Sequence, residues 1–148
     1  MRAEHLADGR VRVTLLAGDT LGVGVGPGEM LVTPEPGLTA WDELVERGIP
    51  IDPAVPGTIT DRQFAHGLWR QNVITLEEAK AFVKVGELPA TLAEIVAGLP
   101  AGMRDDVDLM LSGATTFDRA HPAVATIAAA FGWTDEVLDE FWRFAATL

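Results

Sequence analysis

The sequence predicts a mainly α protein, in which a small N-terminal β hairpin or meander precedes a compact bundle of short helices. Apolar and polar residues alternate near the N-terminus, which is typical of a half-buried strand. Prolines then interrupt the chain, and beyond them helix-start patterns recur at short intervals. We therefore predict a β arm with one short helix over 1–48, a Pro-rich linker over 49–58 and a helical domain over 59–148.

Residues 10–33 carry the β pattern and are predicted to hold two or three short strands. Further along this stretch, branched apolar residues alternate with glycines, so one strand face would have no side chains. Such a face suits the close approach of another backbone, although glycine also marks bends and bulges. We predict that this region binds a partner, through Val11, Val13, Leu21, Gly22, Val23, Gly24, Val25 and Gly26.

A short helix is predicted next, with Thr39 as its N-cap and Gly48 just beyond its end. Its buried stripe would consist of Trp41, Leu44 and Val45. The following segment contains three prolines, so neither a helix nor a central strand can run through it. These prolines are Pro50, Pro53 and Pro56.

The second part of the chain shows regular helix punctuation. A threonine followed three residues later by glutamine or glutamate is the capping box, in which each residue bonds the other's amide. The predicted boxes are Thr60–Gln63, Thr75–Glu78 and Thr91–Glu94, with helix ends near Asn72, Gly86 and Gly98. Each helix has one apolar stripe, including Leu76–Ala79–Val83 and Val107–Met110–Leu111. A further helix would start at Pro122 and stop at Gly132, and Thr134 would cap a last helix with Val137, Leu138, Phe141, Trp142 and Ala145 on one face.

The composition narrows the classes of function. The 148 residues include 22 acidic and 11 basic side chains, a net charge of −11 that repels phosphate backbones and anionic lipids. We therefore expect neither nucleic acid nor a membrane as a partner. The chain has no cysteine, which excludes a disulfide framework and fits synthesis in the cytoplasm. The N-terminus lacks the apolar run of a signal peptide.

No catalytic or cofactor motif is complete. The glycines at 22, 24, 26 and 28 fail the dinucleotide-binding spacing in every frame, so a glycine-faced strand pair is the better interpretation. Asp105, Asp106 and Asp108 would suit a hard cation, but they lack the glycine and distal glutamate of a calcium loop. We favour the alternative that these acids complement the positive end of a helix dipole.

Other reactive residues are scattered. His5, His66 and His121 include no pair at metal-ligand spacing. The single serine, Ser112, lies outside any nucleophile-elbow pattern. We therefore expect no catalytic residue, no metal and no cofactor. The tryptophans Trp41, Trp69 and Trp133 are candidate contact residues, because a large aromatic ring with one polar group suits an interface. The alternative is that they pack in the core, which we favour for Trp142.

Three motifs of the helical part resemble a known type of protein. These are Ile59–Phe64 with Val73–Ala79 behind it, Ala114–Pro122, and Phe131–Asp135 with the closing Phe141–Leu148. Together they resemble small proteins encoded among the tail genes of alphaproteobacterial phages and phage-like gene transfer particles, over about 59–148. Phe117, Arg119 and His121 match the recurring pattern. We interpret them as a turn that packs Phe117 inward and ties helix ends through the other two.

The resemblance implies a non-enzymatic virion protein located in the tail, a structural component of the tail tip or fibre network. Its partners would be other tail or fibre proteins, and a homo-oligomer is also left open. The alternative is a non-virion tail-fibre assembly chaperone, or an acidic regulator that covers a partner's basic surface. An enzyme ranks third.

Overall fold

The computed structural model describes residues 1–15, 19, 21 and 28–148. It shows a mainly α protein with a small β part at the N-terminus, as the sequence predicts. The chain divides into two compact units, Met1–Val55 and Pro56–Leu148, called here the N-terminal unit and the C-terminal unit. None of the helices in these described ranges is long and apolar enough to cross a bilayer.

The N-terminal unit is a four-stranded sheet with one helix. Its elements are β1 (Arg2–His5), β2 (Val11–Leu15), β3 (Gly28–Val32), α1 (Thr39–Glu46) and β4 (Ile51–Asp52). The strand order is β3-β2-β1-β4, with antiparallel pairs except for β4, which runs parallel to β1. β1 was not predicted. β4 lies within the predicted linker, where it is tolerated because it occupies a sheet edge.

One face of this sheet forms a small aliphatic core. Alternate residues of β2 point into it, because successive side chains of a strand face opposite sides. The buried residues are Ala3, Val11, Val13, Leu15, Leu21, Val32 and Leu44. The unit therefore covers its own sheet, with Leu44 of α1 inside the core.

The start of α1 differs from the prediction. Thr39 is its first helical residue, and the N-cap is Leu38, which makes no side-chain cap. The carboxylate of Asp42 instead accepts a hydrogen bond from the Gly37 amide at 3.1 Å. Val45, predicted on the buried stripe, is 59% exposed, so the helix buries a narrower stripe than expected.

The C-terminal unit consists of short helices and one strand pair. Its elements are β5 (Thr58–Thr60), α2 (Asp61–Arg70), α3 (Leu76–Val85), α4 (Ala90–Gly98), α5 (Ala101–Gly113), β6 (Thr116–Asp118), α6 (Pro122–Ala130) and α7 (Asp135–Ala146). β5 and β6 pair antiparallel, with Ile59 opposite Phe117. Both of these residues are buried, so the pair joins the helical core.

Most predicted helix starts are confirmed. Both sides of the capping box form at Thr60 and at Thr75, and Thr134 caps α7. Pro122 occupies the first turn of α6, where His121 Nδ1 accepts from the Ala123 amide at 3.2 Å. A left-handed Asn72 follows α2, and a left-handed Gly86 ends α3.

The prediction of a capping box at Thr91 is wrong. Helix α4 begins at Ala90 with Pro89 as its N-cap, so Thr91 already lies inside the first turn. The dipole interpretation of the aspartates also fails. Helix α5 begins at Ala101, and Asp105 and Asp106 lie beyond its first turn, which holds no acidic residue. They and Asp108 are exposed.

The core of the C-terminal unit contains a cluster of aromatic rings among aliphatic side chains. Phe64 lies at its centre, with ring centroids 4.9 Å from Phe117 and 5.8 Å from Phe141. Phe82 and Trp142 surround the same ring. In α3 the buried aromatic residue is Phe82. Leu76 and Val83 were predicted to be buried there, but Leu76 is half-buried and Val83 is exposed. Val137 of α7, predicted on the buried face, is 42% exposed.

Candidate functional site

The predicted contact residues of the β region fall into two groups. Val11, Val13 and Leu21 are fully buried in the N-terminal core. Their side chains therefore build the sheet's interior and do not present a contact surface, which corrects their predicted role. Gly22, Val23, Gly24, Val25 and Gly26 lie outside the described residues.

The sheet presents β3 at one of its edges. Within the described part of the chain, β3 pairs with β2 on one side and is the first strand in the order β3-β2-β1-β4. Met30 and Val32 face the core, whereas Glu29 and Leu31 point outward, with Leu31 half exposed. An edge strand offers unpaired backbone amides and carbonyls to an added strand. This edge is a candidate docking element.

The outward face of the sheet carries ion pairs, one of which lies beside Leu31. Arg12, which lies opposite Leu31 in the register, reaches Glu4 of β1 at 3.3 Å. Arg2 reaches Asp52 of β4 at 3.2 Å. Exposed ion pairs of this kind contribute little to stability. Their main consequence is that the outward face of the sheet is charged, with Leu31 as an apolar residue on it.

The three predicted tryptophans lie in different settings. Trp41 is half-buried against the N-terminal core. Trp133 stacks on Phe131 at 5.0 Å and meets the ring of Phe141 at 5.1 Å, so it belongs to the edge of the aromatic core. Trp69 lies in an open groove on the C-terminal unit. Of the three tryptophans, it is therefore the strongest candidate for a contact residue.

That groove runs between α2 and α3 and has a volume of about 310 Å³. It is lined by Arg62, Ala65, His66, Trp69, Leu76, Ala79, Lys80, Val83 and Lys84. The ring of His66 stacks on Trp69 at 5.4 Å, and the guanidinium of Arg70 lies 5.7 Å from the centre of the Trp69 ring. The result is an apolar floor with a cationic rim.

Sequence reasoning missed this groove because Leu76 and Val83 were assigned to the core. The signal that could have found it is the pair Lys80 and Lys84, which are the chain's two lysines. Their spacing of four residues places both on one helix face. Arg62 and Trp69 face them from α2.

The other polar candidates have structural explanations. Arg119 Nε donates to Asp139 Oδ1 at 2.7 Å, and it joins the turn after β6 to α7, as predicted for a residue that ties helix ends. Ser112 Oγ donates to the Asp108 carbonyl within α5. In the ranges that the structure describes, no group of three or more His, Asp or Glu side chains is arranged to hold a metal ion.

Glu78 links the starts of two helices. Its carboxylate accepts from the Thr75 amide at 2.8 Å and from the Ala90 amide at 3.0 Å, and so caps α3 and α4 together. These backbone hydrogen bonds, the Thr75 bond first, lower the pKa of Glu78 below its ordinary value, because they favour the charged carboxylate. Helix α3, whose start is capped by Glu78, forms part of the floor of the α2–α3 groove.

No protein-family model, curated protein or solved structure matches this chain.

Proposed function

We propose that this chain is a non-enzymatic structural component of a phage or phage-like tail, located in the tail tip or fibre network. It binds another tail or fibre protein through its N-terminal β region. The resemblance of the helical part to tail-gene proteins motivates the setting. The observation that carries the binding role is the edge strand β3 with its half-exposed Leu31.

The edge strand supports docking by strand addition. A partner strand laid along β3 would gain main-chain hydrogen bonds, and the outward residues would set which partner fits. The buried face of the sheet is already covered by α1. Docking at the edge therefore leaves the N-terminal core unchanged and needs no refolding of the unit.

The second candidate is an assembly factor that is absent from the finished particle. The cationic groove on the C-terminal unit favours this alternative, because an acidic segment of a client protein would fit it. The two candidates differ in one measurable property, which is whether the chain stays in the particle at fixed stoichiometry.

Particles purified from a producing culture decide between them. We expect the chain to be present at a constant ratio to the major tail protein by quantitative mass spectrometry. The variant Leu31→Lys should fold normally, because the side chain is exposed, and should be lost from particles. Val45→Lys is the matched control, since Val45 is an exposed apolar residue of the same unit outside the edge strand.

Each other outcome is decisive. A chain that is abundant in the lysate and missing from particles overturns the structural role and supports the assembly factor. Incorporation of the Leu31→Lys variant at the normal ratio overturns docking at β3. Equal loss of Leu31→Lys and Val45→Lys would show that the edge strand has no special part.

A further inference from the structure

The α2–α3 groove is bordered by basic side chains that pair with no acidic residue in the described part of the chain. Arginines elsewhere in the described residues form ion pairs, among them Arg2, Arg10, Arg12, Arg47 and Arg119. Arg62, Lys80 and Lys84 have no carboxylate within 4.0 Å among the residues that the structure describes. In a chain of net charge −11, this is a local reversal of sign.

The groove is linear and mostly apolar. Residues 62, 65, 66 and 69 lie on one face of α2, because they are spaced by three and four. The facing side of α3 repeats the same spacing from Leu76 to Lys84. A helix with apolar side chains and carboxylates on one face would fill such a groove and pair with its rim.

The outer face of α5 has that composition. Leu109 is the apolar side chain of this face, and it is 73% exposed. Asp105, Asp106 and Asp108 precede it in the sequence and are exposed as well. Asp105 and Leu109 are one helical turn apart, so an acid and an apolar side chain share the same face.

The acidic face fits within the groove. Asp105 to Leu109 spans about 6 Å along the α5 axis, and Arg62 to Trp69 spans about 10 Å along α2, at 1.5 Å per residue. The α5 face thus has the charge to pair with the rim of the groove and an exposed apolar side chain to contact its floor.

We infer that the outer face of α5 in one copy of this chain docks into the α2–α3 groove of a second copy. Each copy would keep one free groove and one free α5, so the contact is heterologous and adds further copies until a ring closes. This inference uses the C-terminal unit alone and does not depend on the proposed docking at β3.

Two charge-reversal variants test the contact. Lys80→Glu with Lys84→Glu removes the basic rim, and Asp105→Lys with Asp106→Lys removes the acidic face. All four side chains are exposed, so both variants should keep the helical circular-dichroism spectrum. The control reverses two other exposed acids, Glu87→Lys with Glu94→Lys.

Sedimentation velocity over micromolar to millimolar concentrations gives the readout. We expect the average mass of the unmodified chain and of the control to rise with concentration, and each of the two variants to remain monomeric. An equimolar mixture of the two variants should associate again. In the mixture, one variant's acidic α5 meets the other's basic groove, and the second contact forms with the charges exchanged.

A chain that remains monomeric at every concentration overturns the inference, and an acidic segment of another protein would then be the remaining occupant of the groove. Self-association that both variants leave unchanged overturns it too, because the contact would lie on another surface. Variants that stay monomeric when mixed would show that charge complementarity between these two surfaces is not the cause.

Discussion

The two units build their cores in different ways. The N-terminal core is aliphatic and depends on strands that are far apart in sequence, since Ala3 of β1 pairs with Ile51 of β4. The C-terminal core adds a cluster of aromatic rings to its aliphatic side chains, and helices α2, α3, α6 and α7 each have a side-chain N-cap. Local sequence therefore determines where these helices start, whereas the β1–β4 pairing of the N-terminal unit forms only when distant segments meet.

The difference predicts unequal stability. A unit of about 55 residues buries a smaller fraction of its surface than one of about 93, and its helix has no side-chain cap. We expect the N-terminal unit to open at lower denaturant concentration than the C-terminal unit. The following substitutions test whether the two cores behave as separate structures.

The largest effect is expected from Trp142→Ala. Trp142 is fully buried and contacts the rings of Phe64 and Phe141, so its removal should destabilise the C-terminal unit by about 3–5 kcal/mol. Hydrogen exchange followed by mass spectrometry should show faster exchange in α2 and α7 and unchanged exchange in β1 and β2.

Leu44→Ala is the matched substitution in the N-terminal core. It should cost about 2–5 kcal/mol and accelerate exchange in β1 and β2 only. If either substitution accelerates exchange in both units alike, the two cores unfold as one and the contrast between them is lost.

A smaller effect is expected from Gly86→Ala. Gly86 ends α3 with φ +68°, and a Cβ there would collide with the carbonyl oxygen of Ser112 in α5. The left-handed backbone and the collision together should cost about 2–4 kcal/mol, measured as a lower midpoint of urea unfolding.

Gly132→Ala controls for the backbone contribution. Gly132 has φ +72°, but a Cβ there meets open space, so the expected cost is only about 1–2 kcal/mol. Equal losses at the two glycines would mean that the close approach of α3 to α5 contributes nothing.

The smallest effect is expected from Glu78→Ala, and it should depend on pH. Removing the carboxylate that caps α3 and α4 should cost about 1 kcal/mol at neutral pH. The folded state lowers the pKa of Glu78, so this stabilisation is present above the ordinary value of 4.5. It should be lost as the pH falls through the lower, folded value.

The measurement is the difference in unfolding free energy between Glu78→Ala and the unmodified chain, followed from pH 7 downward. Glu94→Ala serves as the comparison, because Glu94 is exposed and is not the capping residue that the sequence predicted. A difference that stays constant down to the lowest pH would show that the ionised carboxylate is not the source of the stability.

The sequence predicted the parts of the fold that local chemistry determines. The capping boxes at Thr60 and Thr75 place two helix starts correctly, because each needs only a hydroxyl and a side chain three residues later. The same rule failed at Thr91. Pro89 is the N-cap of α4, so this helix starts earlier than predicted, and the amide of Ala90 donates to the carboxylate of Glu78, twelve residues away.

The parts that were missed depend on distant contacts. Strands β5 and β6 have three residues each and are far apart in the sequence. Three residues are too few to show the alternation of apolar and polar side chains that predicts a strand. The groove was missed for a related reason. Only the packed structure shows that Phe82 enters the core and that Leu76 and Val83 line the surface beside Lys80.

The two ends of the C-terminal unit are fastened to each other. β5 pairs with β6, and Gln63 Nε2, in the first turn of α2, donates to the carbonyl oxygen of Ala146 at the end of α7 at 3.2 Å. A pulling force between Pro56 and Leu148 would therefore pass along the short path from β5 through α2 to α7. Helices α3, α4 and α5 lie in the sequence between α2 and β6, outside this path, and would carry almost no tension. Under mechanical load this unit would keep its middle helices folded until the β5–β6 and Gln63 contacts break.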